Sequence, residues 1–233
     1  MDTNGNIYTI VYSAVMVVLV AILLTLAATQ LKPYQEANIL IEKKRNILKS
    51  VNVIADAKQA NDLFTKTVKE LIIVNSKGEK LEGNALKVDL KAEHSKPVEQ
   101  RKLPVYIAEM GEKGKIYIIP LRGTGLWGPI WGYVSLSSDM NTIFGANFDH
   151  SAETPGLGAE INTEKFQRSF IGKTIFDPSG LFTSIIVAKT GEKADPVHRV
   201  DAISGGTITS KALQKMLYDD LAIYQEFLKK IKK

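Results

Sequence analysis

Hydrophobic and polar positions divide this chain unevenly. Residues 7–31, IYTIVYSAVMVVLVAILLTLAATQL, contain no charged side chain, and the run matches the ~20 apolar residues needed to cross a hydrocarbon core. We read it as a transmembrane helix, with Tyr8 and Tyr12 as interfacial anchors. A cleaved signal peptide would carry a basic n-region and a shorter apolar core, whereas MDTNGN has neither Lys nor Arg. Beyond it, Ile39, Leu40, Ile47, Leu48 and Val51 recur near helical spacing. So do Leu63, Phe64, Val68 and Leu71. From there the period shortens: LIIVNSKGEKLEG predicts strand, Lys-Gly turn and strand, and LPVYIAEM with KIYIIPLRG predicts a hairpin. WGYVSLSS extends the sheet, and FTSIIVAKT supplies another β-branched run. The charged, aperiodic stretch 87–102 is expected to be a mobile loop. From Ser210, Leu213, Met216, Leu217, Leu221, Tyr224, Phe227, Leu228 and Ile231 mark a long amphipathic helix.

The expected fold class is therefore α+β: one N-terminal transmembrane helix, then an antiparallel-sheet domain with flanking helices. Expected boundaries are a short tail (1–6), the span (7–31), a helical connector (32–72) and the α+β domain (73–233).

Composition narrows the function. An apolar fraction of 45% fills a real core. The net charge of +5 comes from scattered lysines rather than a basic stripe interleaved with aromatics, which argues against a nucleic-acid partner. The chain has no cysteine, so disulfides, thiolate metal sites and cysteine nucleophiles are excluded. His150 and His198 lie in separate segments without a carboxylate–histidine spacing, and no metal site is expected.

Three glycine-rich islands remain: RGTGLWGPIWGY, ETPGLGAE and VDAISGGTITS. The first lacks a dinucleotide fingerprint. It reads as a tight turn with Trp127 and Trp131 packed in the core, or as a loop whose glycines let backbone approach a flat ligand beside an indole wall. In the second, Thr154-Pro155-Gly156 has turn chemistry, and Gly156 and Gly158 free amides for a ligand. In the third, Ser204, Thr207 or Thr209 is a candidate N-cap, and the helix start suits a phosphate.

At Asp201-Ala202-Ile203-Ser204-Gly205-Gly206-Thr207 the chain resembles the flavinylation motif, D-x-x-S/T-G-A-T, of the FMN-binding domains in bacterial respiratory complexes. With GLWGPIWGY, ETPGLGAEI and FQRSFIGK it is similar to the C subunits of sodium-translocating NADH:quinone reductases, and less closely to the G subunits of Rnf ferredoxin:NAD oxidoreductases. The resemblance implies FMN held covalently, by phosphoester, on Thr207, with Asp201, Ser204 and Gly205 in the attachment motif. It implies Glu153, Thr154 and Leu157 in contact with the flavin, and Trp127 and His198 in or beside the site. Gly206 departs from the motif's alanine.

The resemblance further implies a subunit without independent activity, carrying electrons in a complex that couples NADH oxidation and quinone reduction to sodium export. No acid/base catalyst is expected on this chain, because the flavin supplies the redox chemistry. Implied partners are the other subunits, a flavin transferase that uses FAD, and the lipid bilayer. The location is the bacterial inner membrane, single-pass, with the domain extracytoplasmic. Charge alone says otherwise, since Lys32, Lys43, Lys44 and Arg45 follow the span. A long translocated domain weakens that rule, and we adopt the extracytoplasmic orientation. The alternative from another class is a membrane-anchored flavin-binding module with no redox role.

Overall fold

The computed structural model describes residues 5–189 and 191–232. The chain divides into two compact units between Glu42 and Lys43. The first is made by helix α1, Asn6–Ser50, as far as Glu42. Its apolar stretch has a mean hydropathy of 2.8, and none of that window is buried, so the helix is long and apolar enough to cross a membrane. The hydroxyls of Thr25 and Thr29 donate to the carbonyls of Ala21 (2.7 Å) and Thr25 (2.8 Å). Hydrocarbon requires such internal satisfaction.

The second unit starts within the last turns of α1. It continues through α2 (Ala60–Thr67), β1 (Val68–Val74), β2 (Lys80–Leu81), α3 (Leu90–His94), β3 (Leu103–Glu109), β4 (Lys115–Thr124), β5 (Pro129–Leu136) and β6 (Ile143–His150). Then come α4 (Glu164–Arg168), β7 (Ile186–Ala188), β8 (Arg199–Asp201), α5 (Thr207–Ile223) and α6 (Gln225–Lys232). Six antiparallel strands form one sheet in the order β2-β1-β3-β4-β5-β6, while β7 and β8 pair in parallel. The fold is thus an apolar helix followed by an α+β domain built on an antiparallel sheet.

Strand alternation gives the sheet two apolar faces. On one, Ile119, Val134 and Ala146 lie side by side and share a core with Leu213, Met216, Leu217 and Leu221 of α5 and Phe227 and Leu228 of α6. On the other, Ile118, Ser135 and Gly145 lie side by side and meet the end of α1. There the Ser135 hydroxyl reaches the Ser50 carbonyl (2.6 Å), and Asn147 Nδ2 donates to Asn46 Oδ1 (3.1 Å). Residues 43–51, which the sequence pattern assigns to the connector, therefore cover one sheet face, with Ile47, Leu48 and Val51 fully buried.

The hairpin expected from the sequence is β3–β4, paired through Ile107 and Tyr117. Three features differ from expectation. Residues 87–102 are not an unstructured loop: Asp89 caps α3 through the Lys91 amide (2.9 Å), Arg101 donates to the carbonyls of Lys96 and His94, and buried Glu93 accepts from Lys96 and Lys102. Strand β6 is absent from the sequence-based elements, because Gly145, Asn147 and Asp149 break its apolar alternation. The C-terminal helix starts at Thr207 and is interrupted at Tyr224, whose hydroxyl donates to Pro104 O (3.0 Å).

Helix α5 is held at a fixed height on the sheet. Buried Asp220 accepts from the Arg122 amide (2.7 Å) and pairs with His94 Nε2 (3.1 Å). Gly123 leaves room for Met216, which a Cβ would meet at 2.9 Å.

Gly145 allows the equivalent approach on the other face: a Cβ there would collide with the Ser50 carbonyl oxygen and lie 3.3 Å from its carbon. We expect Gly145→Ala to destabilise the domain by ~1–3 kcal/mol through overpacking. A lowered denaturant midpoint with unchanged helix content checks this.

Candidate functional site

The three glycine-rich islands converge on the carboxylate of Glu153, which is only 4% exposed. Its Oε1 accepts from the Trp127 amide (2.9 Å) in the β4–β5 turn. Its Oε2 accepts from the Thr209 hydroxyl (2.5 Å) in the first turn of α5. Burial pushes the carboxyl pKa up, but the Thr209 hydroxyl and the amides of Trp127 and Leu126 outweigh it and hold the pKa below its ordinary 4.5. The Glu153 amide donates to His150 Nδ1 (3.2 Å), which places the proton of neutral His150 on Nε2.

Glycines make the convergence possible. A Cβ on Gly125 would stand 2.5 Å from Glu153 Oε1, and one on Gly158 would strike Glu153 Oε2 and the Thr209 hydroxyl. The 153–158 loop is closed by the Leu157 and Ala159 amides on Thr154 O (both 3.1 Å) and by the Gly156 amide on Glu160 Oε1 (3.1 Å). Gly205 adopts φ +73°, open to glycine without strain, and a Cβ there would stand 2.6 Å from Leu157 Cδ2. Leu157 thus packs directly on the Gly205-Gly206 turn.

That turn leads into α5 without a side-chain cap. Gly206 is the N-cap residue, so none of Ser204, Thr207 and Thr209 caps the helix, contrary to expectation. Ser204 is exposed, Thr209 is committed to Glu153, and the Ser210 hydroxyl accepts from the Ile203 amide (3.1 Å) instead. The first bond closing the helix runs from Ser210 N to Gly206 O (2.9 Å). The amides of Thr207, Ile208 and Thr209 precede it and lack acceptors among the described residues, as helix starts do. Thr207 is half-buried, and its hydroxyl makes no hydrogen bond among those residues.

Around this start the surface is apolar: Leu126 is 47%, Trp127 66%, Leu157 42% and Ile208 58% exposed. Trp127 is therefore not a core residue; its backbone is fixed by Glu153 while its indole faces outward. Thr154 and Asp201 are exposed, the latter paired with Arg199 (2.9 Å). His198 is buried and turned to Thr174 and Thr183, its Nδ1 lying 2.5 Å from Thr174 O and 3.3 Å from the Thr183 hydroxyl. Among the described residues it makes no hydrogen bond to the 153–158 loop or to Thr207. A cavity of about 720 Å³ elsewhere in the domain is bounded by Lys113, Phe144 and Arg168 among others. What the three loops present is an open surface.

The sequence pattern groups these islands but does not show how they join. Thr209 as the partner of Glu153, and Glu160 and His150 as acceptors of loop amides, carry no local signal. The one available clue is a second threonine two positions beyond Thr207.

Known proteins are similar to this chain over most of its length. Residues 125–222, which take in the first island from Gly125 onward and all of the other two, match the FMN-binding domain family. The C subunit of the Na(+)-translocating NADH-quinone reductase of Pseudomonas aeruginosa is 31% identical over 214 residues, covering 82% of each chain. Its counterpart in Vibrio vulnificus is 28% identical over 210 residues, covering 83% of this chain and 82% of the relative. Among solved structures, the C subunit of the Parabacteroides distasonis Na(+)-translocating NADH-quinone reductase is 43% identical with a TM-score of 0.80, covering 85% of this chain and 96% of that one. Shewanella oneidensis NqrC is 27% identical with a TM-score of 0.71 and coverages of 83% and 97%.

The clamp predicts a graded mutational response. Glu153→Ala strands a hydroxyl and two amides and should cost on the order of 3 kcal/mol. Glu153→Gln should cost less, since its oxygen still accepts from Trp127 N and its amide donates to Thr209. The depressed carboxyl contributes stability that is present above pH 4.5 and lost as pH falls through the lower folded-state pKa. Acidification from about pH 6 to about pH 3 should therefore destabilise the native chain more than the Gln variant. Denaturant titrations of both across that range measure the difference.

Proposed function

The chain belongs to the family of C subunits of the Na(+)-translocating NADH-quinone reductase, and from that premise we propose that it carries FMN as a phosphoester on Thr207 and relays electrons between other subunits of such a complex. One observation carries the choice of residue. Of the two threonines in Thr207-Ile208-Thr209, the second is 2% exposed and donates its proton to Glu153. The first is half-buried, its hydroxyl unbonded among the described residues, and set at the free amides of α5.

The residues present fit the group. Unpaired amides at the start of a helix favour a phosphate. Trp127, Leu157 and Ile208 offer apolar surface for a planar ring. Gly205 and Gly206 let the attachment turn pass close beneath Leu157. Attachment joins the Thr207 oxygen to the flavin phosphoryl group of FAD, breaks the P–O–P bond, releases AMP and gives the hydroxyl proton to solvent; a separate transferase supplies the catalysis. Bound FMN supplies electron acceptance and donation. The chain's own part is to position it: the amides hold the phosphate, the apolar side chains cover the ring, and Glu153 fixes both loops and keeps Thr209 out of the reaction. We assign to the assembled complex the coupling of NADH oxidation and quinone reduction to sodium export, and to this chain no activity alone.

For location we propose a single-pass anchor with the α+β domain outside the cytoplasm. Three of the four basic residues after the span support this, because they are spent on their own domain. Lys43 Nζ donates to Leu86 O (2.7 Å), Lys44 Nζ donates to Asn61 Oδ1 (2.7 Å) and lies over the Phe64 ring, and Arg45 Nε donates to Ala55 O (3.0 Å). Charges tied to a folded domain are a poor retention signal, since long domains translocate largely regardless of charge.

Coexpression with the transferase followed by denaturing electrophoresis under ultraviolet light tests the attachment. Thr207→Val should abolish the fluorescent band. Thr209→Val should retain it while losing ~1–2 kcal/mol of stability from the unpaired carboxylate; fluorescence surviving in Thr207→Val would refute the assignment. For orientation, the cysteine-free chain allows a clean test. Exposed Lys165→Cys should react with an impermeant maleimide in spheroplasts, and protection until lysis would place the domain in the cytoplasm.

A further inference from the structure

Thr207, Lys211 and Gln214 share one face of α5, because a seven-residue step on a helix returns a side chain to within about 20° and a four-residue step to within about 40°. Lys211 lies between the other two, one turn beyond Thr207. Helical side chains lean toward the N-terminal turn, so a change of rotamer can bring its ammonium to the side of the threonine. Its ammonium now bridges both oxygens of Glu192 (3.2 Å each) and Gln214 Oε1 (3.3 Å). Gln214 Oε1 is itself fixed by the Val187 amide of β7 (3.0 Å). The Lys211–Glu192 pair is about 40% exposed on each side, and ion pairs open to water in this way are weak. The amides of residues 207–209 supply partial positive charge at the helix start, but Lys211 is the full cation one turn away on the face of Thr207.

We propose that Lys211 is the counter-ion of the phosphodiester at Thr207, and that loading moves its ammonium from Glu192 to that phosphate. This rests on the assignment of Thr207 as the attachment point. Among the described residues Glu192 is held otherwise only to Lys189, whose amide its side chain accepts from (3.0 Å) and whose carbonyl its own amide donates to (3.0 Å), so losing Lys211 loosens the 191–195 turn, which leads through the Asp195-capped turn into β8 and the attachment motif. Lys211 acts here as a positioning residue: it orients the ester and couples occupancy to the turn beside it.

The test uses the full chain in detergent, coexpressed with the transferase, as native protein, Lys211→Met, Lys211→Arg and Thr207→Val. Phosphorus NMR should show the ester resonance displaced in Lys211→Met and near its native position in Lys211→Arg. Hydrogen–deuterium exchange over residues 191–195 should be severalfold faster in the loaded native chain than in unloaded Thr207→Val, and equally fast in Lys211→Met. A phosphorus resonance unmoved in Lys211→Met overturns the counter-ion role, and exchange independent of loading overturns the release of the turn. A native chain with no FMN on Thr207 overturns the parent assignment and this inference together.

Discussion

A single buried carboxylate organises the functional end of this protein. Glu153 binds the β4–β5 turn through Trp127 and α5 through Thr209, and its own loop presses Leu157 onto Gly205 and Gly206. Taking a carboxylate out of water is costly unless hydrogen bonds replace the water. Here they do, with a hydroxyl and two amides as donors. The same bonds that make its burial tolerable draw three distant segments into one surface, so satisfaction of a charge and assembly of a site are one event. Consuming the Thr209 hydroxyl leaves Thr207, two positions earlier, with a hydroxyl that makes no hydrogen bond among the described residues.

The rest of the domain makes that arrangement rigid. Antiparallel strands put β4, β5 and β6 side by side, so their ends at the β4–β5 turn and the 151–158 loop are neighbours by register. Helix α5 lies across them on Leu213, Met216, Leu217 and Leu221. Asp220 pins its last turn to Arg122, and Tyr224 pins its end to Pro104. The other face of the sheet is covered by the last turns of α1. The helix that begins as an apolar stretch long enough to cross a membrane therefore ends as part of the core.

Much of this is legible in the chain, and what is not has identifiable causes. Strands β3 and β4 announce themselves by β-branched and aromatic residues around a glycine turn, and α5–α6 by the three- and four-residue spacing from Leu213 to Ile231. Strand β6 hides because Gly145 and Asn147 are there to meet α1 rather than to favour a strand. The 87–102 region reads as aperiodic because its order comes from side chain–backbone bonds such as Arg101 to His94. Trp127 reads from its type alone either as core or as an indole wall beside a ligand; its position is set through its amide and its ring is exposed, which removes the first reading. The Glu153–Thr209 bond spans 56 positions and no local pattern encodes it. Gly206, the departure from the resembling motif, acquires a reason: a Cβ there would lie 2.9 Å from Ile203 Cγ2 and 3.2 Å from the Leu157 carbonyl carbon, so glycine lets the two loops close.

If Glu153 decides between neighbouring hydroxyls, one tryptic peptide records the choice. Trypsin cuts after Arg199 and Lys211, releasing VDAISGGTITSK with Ser204, Thr207, Thr209 and Ser210 all present. Fragmentation of that peptide by mass spectrometry locates any adduct directly. We predict a mass increase of FMN less water on Thr207 alone; an adduct on Thr209 or either serine, or an unmodified peptide from chain matured with its transferase, overturns that role for Glu153.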